Sequence, residues 1–455
     1  KKDNLLQRKR GRSSASSGNT HVLQQCIESL LQNRGGADQL RALREIVTSD
    51  PSSALFFGGL IQKPEIARDL VTCLVDFLAR EETRDSSVIV LFSIVSSPVT
   101  HSETGYYGNT TTWSTLLLDQ GASPALTSLV LEGNVTAMDI LTHLLQDSPM
   151  SLVKSLLPHW RDFVSRLPQT ATLCATLARQ DHTSRALDLM AHIPVSKLNE
   201  LLMSPHTASA GGVLVASLTH REDEAIPVLL NDKTLVATLI RTLQAEMSKT
   251  HAERNLMVVE FALQTLTNVA VSNEGRYAEP LLQEQDLIAC LQKLIEQKVH
   301  VNVVSLCGAL LCDAGLPHHR STTLGVEAFV PRLLHVLLEE GPWEWQVNIV
   351  CALQVVWSAP PVLEAFDNEV VQGILFDMAR HLLLNSHVVR VLVQLLNKPD
   401  MDVAIASMSL LDRLLRTLPA SVEMFREWDG VEALEALIQR VPTTNPATEM
   451  AAELL

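Results

Sequence analysis

Short helical segments of one pattern return along this chain at a nearly constant interval, and that recurrence limits the fold more than any other feature. DLIACLQKLI (286–295), AFVPRLLHVLL (328–338), HVVRVLVQLL (387–396) and DGVEALEALI (429–438) each join a turn-like lead-in to a Leu-x-x-Leu helix. Leu291 and Leu334 stand 43 positions apart, Leu334 and Phe376 42, and Leu392 and Leu434 42. A two-turn helix with one apolar stripe cannot bury that stripe alone, but it can when stacked on copies of itself. The expected fold is therefore a stack of helical units.

Length and composition agree with a stack. At 455 residues the chain exceeds the size at which one compact core stops growing. Hydrophobic residues make up 46% but aromatics only 4%, so the apolar mass is mostly Leu, Val, Ala and Ile, which suits many small helices packed side by side. Breaks such as Ser49-Asp50-Pro51, Asp147-Ser148-Pro149 and Lys398-Pro399-Asp400 punctuate the helical pattern. Residues 1–20 differ: they are basic, then rich in Ser and Gly, and read as a flexible tail before a solenoid spanning 21–455 in about nine to ten units.

Two segments specify the type of unit. Gly121-Ala122-Ser123-Pro124-Ala125-Leu126-Thr127-Ser128-Leu129-Val130 has the Gly-Ala-x-Pro-x-Leu-x-x-Leu pattern with which armadillo units turn into their long helix. Gly relieves steric strain at that junction and Pro suits a first helical turn. Phe261-Ala262-Leu263-Gln264-Thr265-Leu266-Thr267-Asn268-Val269-Ala270 resembles the third, groove-lining helix of such a unit. The fold class expected is all-α, a right-handed α-α superhelix of armadillo repeats.

Charge and cysteine usage bound the partners. The net charge is −15, yet the first twenty residues carry six Lys or Arg against one Asp, so the remaining body is more acidic still. An acidic body argues against binding a phosphate backbone, which needs Lys and Arg to displace counterions, and favours basic protein partners; an acidic surface also simply keeps a large protein in solution. The seven cysteines (Cys26, Cys73, Cys174, Cys290, Cys307, Cys312 and Cys351) are scattered through apolar stretches and read as small core residues in a reducing compartment. No apolar run is long enough to span a bilayer and no signal peptide opens the chain, so no membrane partner and an intracellular setting are expected. The sequons at Asn109 and Asn134 then read as chance matches.

No catalytic or cofactor motif is present. There is no CxxC or HExxH, Cys307 and Cys312 are poorly spaced for zinc, and His318-His319 follows a Pro in a loop. Phosphate loops, nucleophile elbows and dinucleotide fingerprints are lacking as well. The expectation is a non-enzyme without metal or cofactor.

The sequence resembles importin-α, the adaptor that carries nuclear proteins bearing basic localisation signals. KKDNLLQRKR (1–10) resembles the end of that family's importin-β-binding segment. DQLRALREIVTSDPS (38–52) resembles its entry helix, and DLVTCLVDFLAR (69–80) with SVIVLFSIVSS (87–97) its first full unit. FREWDGVEALEALIQ (425–439) with ATEMAAELL resembles the acidic closing unit. The resemblance implies residence in cytoplasm and nucleus, an importin-β partner held by Lys1, Lys2, Arg8, Lys9 and Arg10, and an export receptor met by Glu427, Asp429, Glu432 and Glu435. It also implies a groove that reads basic cargo peptides with a Trp and, four residues later, an Asn on each third helix, where the Trp faces hold Lys and Arg stems and the Asn binds the cargo backbone.

In this chain those paired positions fall on Ile89 and Ser93, Asp139 and His143, Thr172 and Thr176, and Gln264 and Asn268. The candidate cargo-groove residues are thus Ser93, His143, Gln264 and Asn268. Of the six Trp, none stands four residues before an Asn; Trp343-Glu344-Trp345 reads either as a separate stacking surface or as packing at a helix junction. The alternative to a transport adaptor is an armadillo interaction scaffold that kept the frame and lost the ladder.

Overall fold

The computed structural model describes residues 20–32, 36–50, 53–97, 112–147, 150–180, 192–220, 226–227, 234–272, 277–311, 319–339, 342–358, 387–398, 400–417, 419–442 and 445–455. Among the described residues every regular element is a helix. The chain divides into two compact units, Lys1–Pro194 and Val195–Leu455. The basic tail, with Lys1, Lys2, Arg8, Lys9 and Arg10, lies outside the described residues, as do Asn109, Cys312, His318 and Phe376.

The first unit contains α1 (20–32), α2 (Ala37–Ser49), α3 (Ser53–Leu60), α4 (Pro64–Leu78), α5 (Glu81–Val95), α6 (Trp113–Asp119), α7 (Ala122–Glu132), α8 (Val135–Gln146), α9 (Met150–Leu156), α10 (Trp160–Ser165) and α11 (Ala171–Gln180). The repeating block is a short helix followed by two longer ones, as in α3–α4–α5 and α6–α7–α8. Like stacks on like: α4 packs on α7, while α2, α5, α8 and α11 form a continuous row.

The second unit keeps the same scheme. Its helices are α12 (Val195–Met203), α13 (Ala208–Thr219), α14 (Thr234–Ser248), α15 (Leu256–Val271), α16 (Ala278–Gln283), α17 (Gln285–Glu296), α18 (Asn302–Leu311), α19 (His319–Leu338), α20 (Trp343–Ser358), α21 (His387–Leu396), α22 (Met401–Thr417), α23 (Pro419–Glu427), α24 (Gly430–Arg440) and α25 (Pro446–Leu454). Second helices α12, α14, α17, α19, α21 and α24 form one row, and third helices α13, α15, α18, α20, α22 and α25 the other. The four segments whose recurrence stands out in the sequence are all second helices, α17, α19, α21 and α24. This block and its like-on-like stacking make the fold an all-α solenoid of the armadillo type.

Position in the stack dictates sequence pattern. The second helix α17 buries Leu287, Cys290, Leu291, Leu294 and Ile295, one stripe at helical spacing, and shows solvent the rest. The third helix α18 lies against α17, α15 and α20 and buries eight of its ten residues, Val303, Val304, Leu306, Cys307, Gly308, Ala309, Leu310 and Leu311. A helix enclosed on several sides is apolar almost all round.

The junctions follow the expected chemistry with one substitution. Gly121 enters α7 at φ 72°, the left-handed region open to glycine at no steric cost. At the same place before α24 stands Asp429, at φ 56°; Asp is among the few other residues that tolerate this region. The next residue, Gly430, is held to glycine by packing, because a Cβ there would overlap the buried ring of Phe425. In α19 the short and second helices run together as one helix, with Pro331 inside it.

Candidate functional site

The third-helix rows carry the positions that an armadillo groove would use. Residues four apart share a helical face, so one pair per third helix makes a ladder along the stack.

In the first unit, α5 contributes Ile89 and Ser93, α8 Asp139 and His143, and α11 Thr172 and Thr176. Two of the hydroxyls bond to their own helix: Ser93 Oγ donates to Ile89 O at 3.1 Å and Thr176 Oγ1 to Thr172 O at 3.0 Å. The middle rung differs. Asp139 and His143 are half-buried, and the His143 ring lies 6.1 Å from that of Phe92 on α5. Burial pushes the Asp139 carboxyl above the ordinary carboxylate range, and His143 pulls it partly back. A partly desolvated carboxylate one turn before a His ring that lies near a Phe ring is a seat for a cation with an aliphatic stem. Phe92 is not in the sequence-derived set; its one cue is its place next to Ser93 on the same third helix.

In the second unit Asn268 lies at a helix interface. Its side chain is not displayed to a groove: the residue is 8% exposed. Its Nδ2 donates to Thr219 Oγ1 at 3.0 Å and to Ala216 O at 3.3 Å, both on the neighbouring third helix α13. Its Oδ1 accepts from Gln264 Nε2 at 2.9 Å. The amide thus spends both ends on the protein itself and ties two repeats together, because the α13–α15 interface is closed at this depth. Gln264 is half-buried and is oriented by that bond. One turn earlier on α15, Glu260 is the more accessible group, with His300 Nε2 3.9 Å from its Oε2, an ion pair only when His300 is protonated.

The acidic residues of the last repeat separate into two kinds. All four are exposed, but only Asp429 and Glu432 line a cleft of about 650 Å³ between α21 and α24. Cys174 and Cys290, buried in helix interfaces, have thiols pushed up to about 12 and about 11, and burial also raises that of Cys307. Such thiols are poor nucleophiles and poor metal ligands at neutral pH. Among the described residues no group of three or more His, Cys, Asp or Glu is arranged to hold a metal ion, and no helix is long and apolar enough to cross a membrane.

No protein-family model and no curated relative matches the sequence. Among solved structures, the crystal structure of an engineered protein from the Northeast Structural Genomics Consortium is similar to this chain with a TM-score of 0.63 at 18% identity, over 94% of this chain and 97% of that one. At that identity the likeness is one of fold. Two designed armadillo repeat proteins, one of them in complex with a (KR)4 peptide, are similar at TM-scores of 0.43 and 0.41, with 17% and 16% identity, each over 57% of this chain and 99% of theirs. Those two scores are too low to carry an argument.

Proposed function

We propose that this protein is an interaction scaffold whose third-helix row in the first unit holds an extended, basic segment of a partner protein. The carrying observation is the rung formed by Asp139, His143 and Phe92. Burial has already removed part of the carboxylate's hydration, so a Lys or Arg head beside it restores a favourable interaction while its stem lies against the rings. The net charge of −15 favours the same class of partner at longer range.

Asp139→Asn is the test. A fluorescein-labelled peptide of alternating Lys and Arg should bind the full chain with an affinity that this variant weakens about tenfold. The variant should also alter stability with pH in a defined direction. A raised folded-state pKa contributes stability below the ordinary carboxylate range and loses it as pH rises through the raised value, so Asp139→Asn should gain on the wild type from acid towards neutral pH. Equal peptide affinity in the two proteins would remove Asp139 from the site.

A finer reading, a nuclear-import adaptor, is supported by the resemblance of residues 1–10 to an importin-β-binding segment. On that reading, importin-β is recovered by the full chain and lost when Lys1, Lys2, Arg8, Lys9 and Arg10 are all replaced by Ala. Undiminished recovery would remove the tail from the importin-β contact, and failure of the full chain to bind importin-β at all would leave the scaffold without a transport role. The internal bonds of Asn268 already favour a scaffold that does not read cargo through a Trp and Asn ladder.

A further inference from the structure

The cleft between α21 and α24 is built differently from the third-helix rows and lies between second helices of the last two repeats. Its floor is apolar, from buried Val393 and Ala433. Gln394 of α21 and Asn397 just past its end form one wall; Asp429 and Glu432 form the other. Arg390 and Trp428 close one end, the guanidinium 5.2 Å from the indole centroid.

The charges around this cleft are unequally committed. Arg390 lies on the Trp428 ring, and Arg440 donates to the carbonyls of Leu396 and Asn397 at 2.9 and 3.0 Å, capping the end of α21. The carboxylates have no such engagement. Asp429 occupies the N-cap position of α24, yet its left-handed backbone leaves the side chain without a capping bond. Neither Asp429 nor Glu432 forms an ion pair among the described residues, and the side-chain amides of Gln394 and Asn397 are exposed. The two carboxylates stand three residues apart, Asp429 at the N-cap and Glu432 in the first turn of α24.

We infer that this cleft is a second binding site, and that it takes an arginine side chain from an extended segment of a partner protein. A guanidinium presents five N–H groups in one plane, enough to meet carboxylate oxygens on one wall and amide oxygens on the other, over an apolar floor that covers its stem. A lysine ammonium is a compact charge that cannot span both walls. The volume falls in the range of ligand-sized clefts.

The test uses the full chain, a fluorescein-labelled peptide of alternating glycine and arginine, and amide hydrogen exchange. Bound peptide should protect amides in 390–397 and 428–434. D429N/E432Q, in which Asn keeps the left-handed turn accessible, should abolish that protection and weaken this site about tenfold. The Asp139→Asn variant should leave it intact, so a failure here and a failure of the third-helix site are separately visible. The glycine and lysine counterpart should protect these amides less. Protection confined to the third helices, protection that survives D429N/E432Q, or no binding at all would each overturn the inference.

Discussion

Glu246→Ala is expected to destabilise the second unit by about 3 kcal/mol, read as a lower denaturant midpoint at unchanged slope. Glu246 is 6% exposed at the end of α14, where its carboxylate accepts from Lys249 Nζ at 2.5 Å and from the backbone N of Asn255 at 2.7 Å. Asn255 caps α15, and its side-chain amide donates to Ser209 Oγ on α13 at 3.0 Å. Arg254 binds Glu246 O at 3.2 Å and reaches Gln297, beyond α17, at 3.3 Å. Glu246 therefore stands at a corner that touches the repeats before and after it, its carboxylate holding Lys249 and Asn255 and its backbone carbonyl Arg254. Truncation leaves a half-buried N–H without an acceptor and loses a charge-assisted bond, two costs of about 1–2 kcal/mol each. Glu246→Gln keeps an acceptor for Asn255 and should lose about 1 kcal/mol. A result in which Ala and Gln cost the same would mean that water replaces the carboxylate at this corner.

The parts of the fold that were legible in the sequence are those with one buried face. Second helices such as α17 and α24 show a clean stripe because their other side meets solvent, so their recurrence was readable as a repeat. The third helix α18 gave composition without a period, since it is enclosed by its neighbours. Gly121 was readable as a junction because its φ of 72° suits glycine above all. Asp429, which does the same at α24, reads in sequence as one more acid in an acidic cluster; only the backbone shows why it stands there. The cleft beside it was not readable either, because Arg390 and Trp428 meet across a sequence distance that no local pattern records. The middle rung was half legible: i, i+4 spacing pairs Asp139 with His143, but the Phe92 ring arrives from another repeat.

Asn268 shows why a ladder position could be found from sequence while its role could not, and it gives the second large effect. Spacing places the residue on a third helix, but its partners Ala216 and Thr219 are 52 and 49 positions away, and they alone decide whether the amide faces a peptide or the protein. Asn268→Ala should cost the second unit about 2–3 kcal/mol: roughly 1 kcal/mol for each good hydrogen bond lost, and the remainder for the small cavity left. Asn268→Asp, nearly the same shape, should cost at least as much, because a carboxylate then faces the carbonyl oxygen of Ala216 in a site that is 8% exposed. Basic-peptide affinity measured well below the unfolding transition should be unchanged in both variants. A groove that clamps its ligand through this Asn gives the opposite pattern, with weakened binding and little loss of stability, and that pattern would return Asn268 to the binding site.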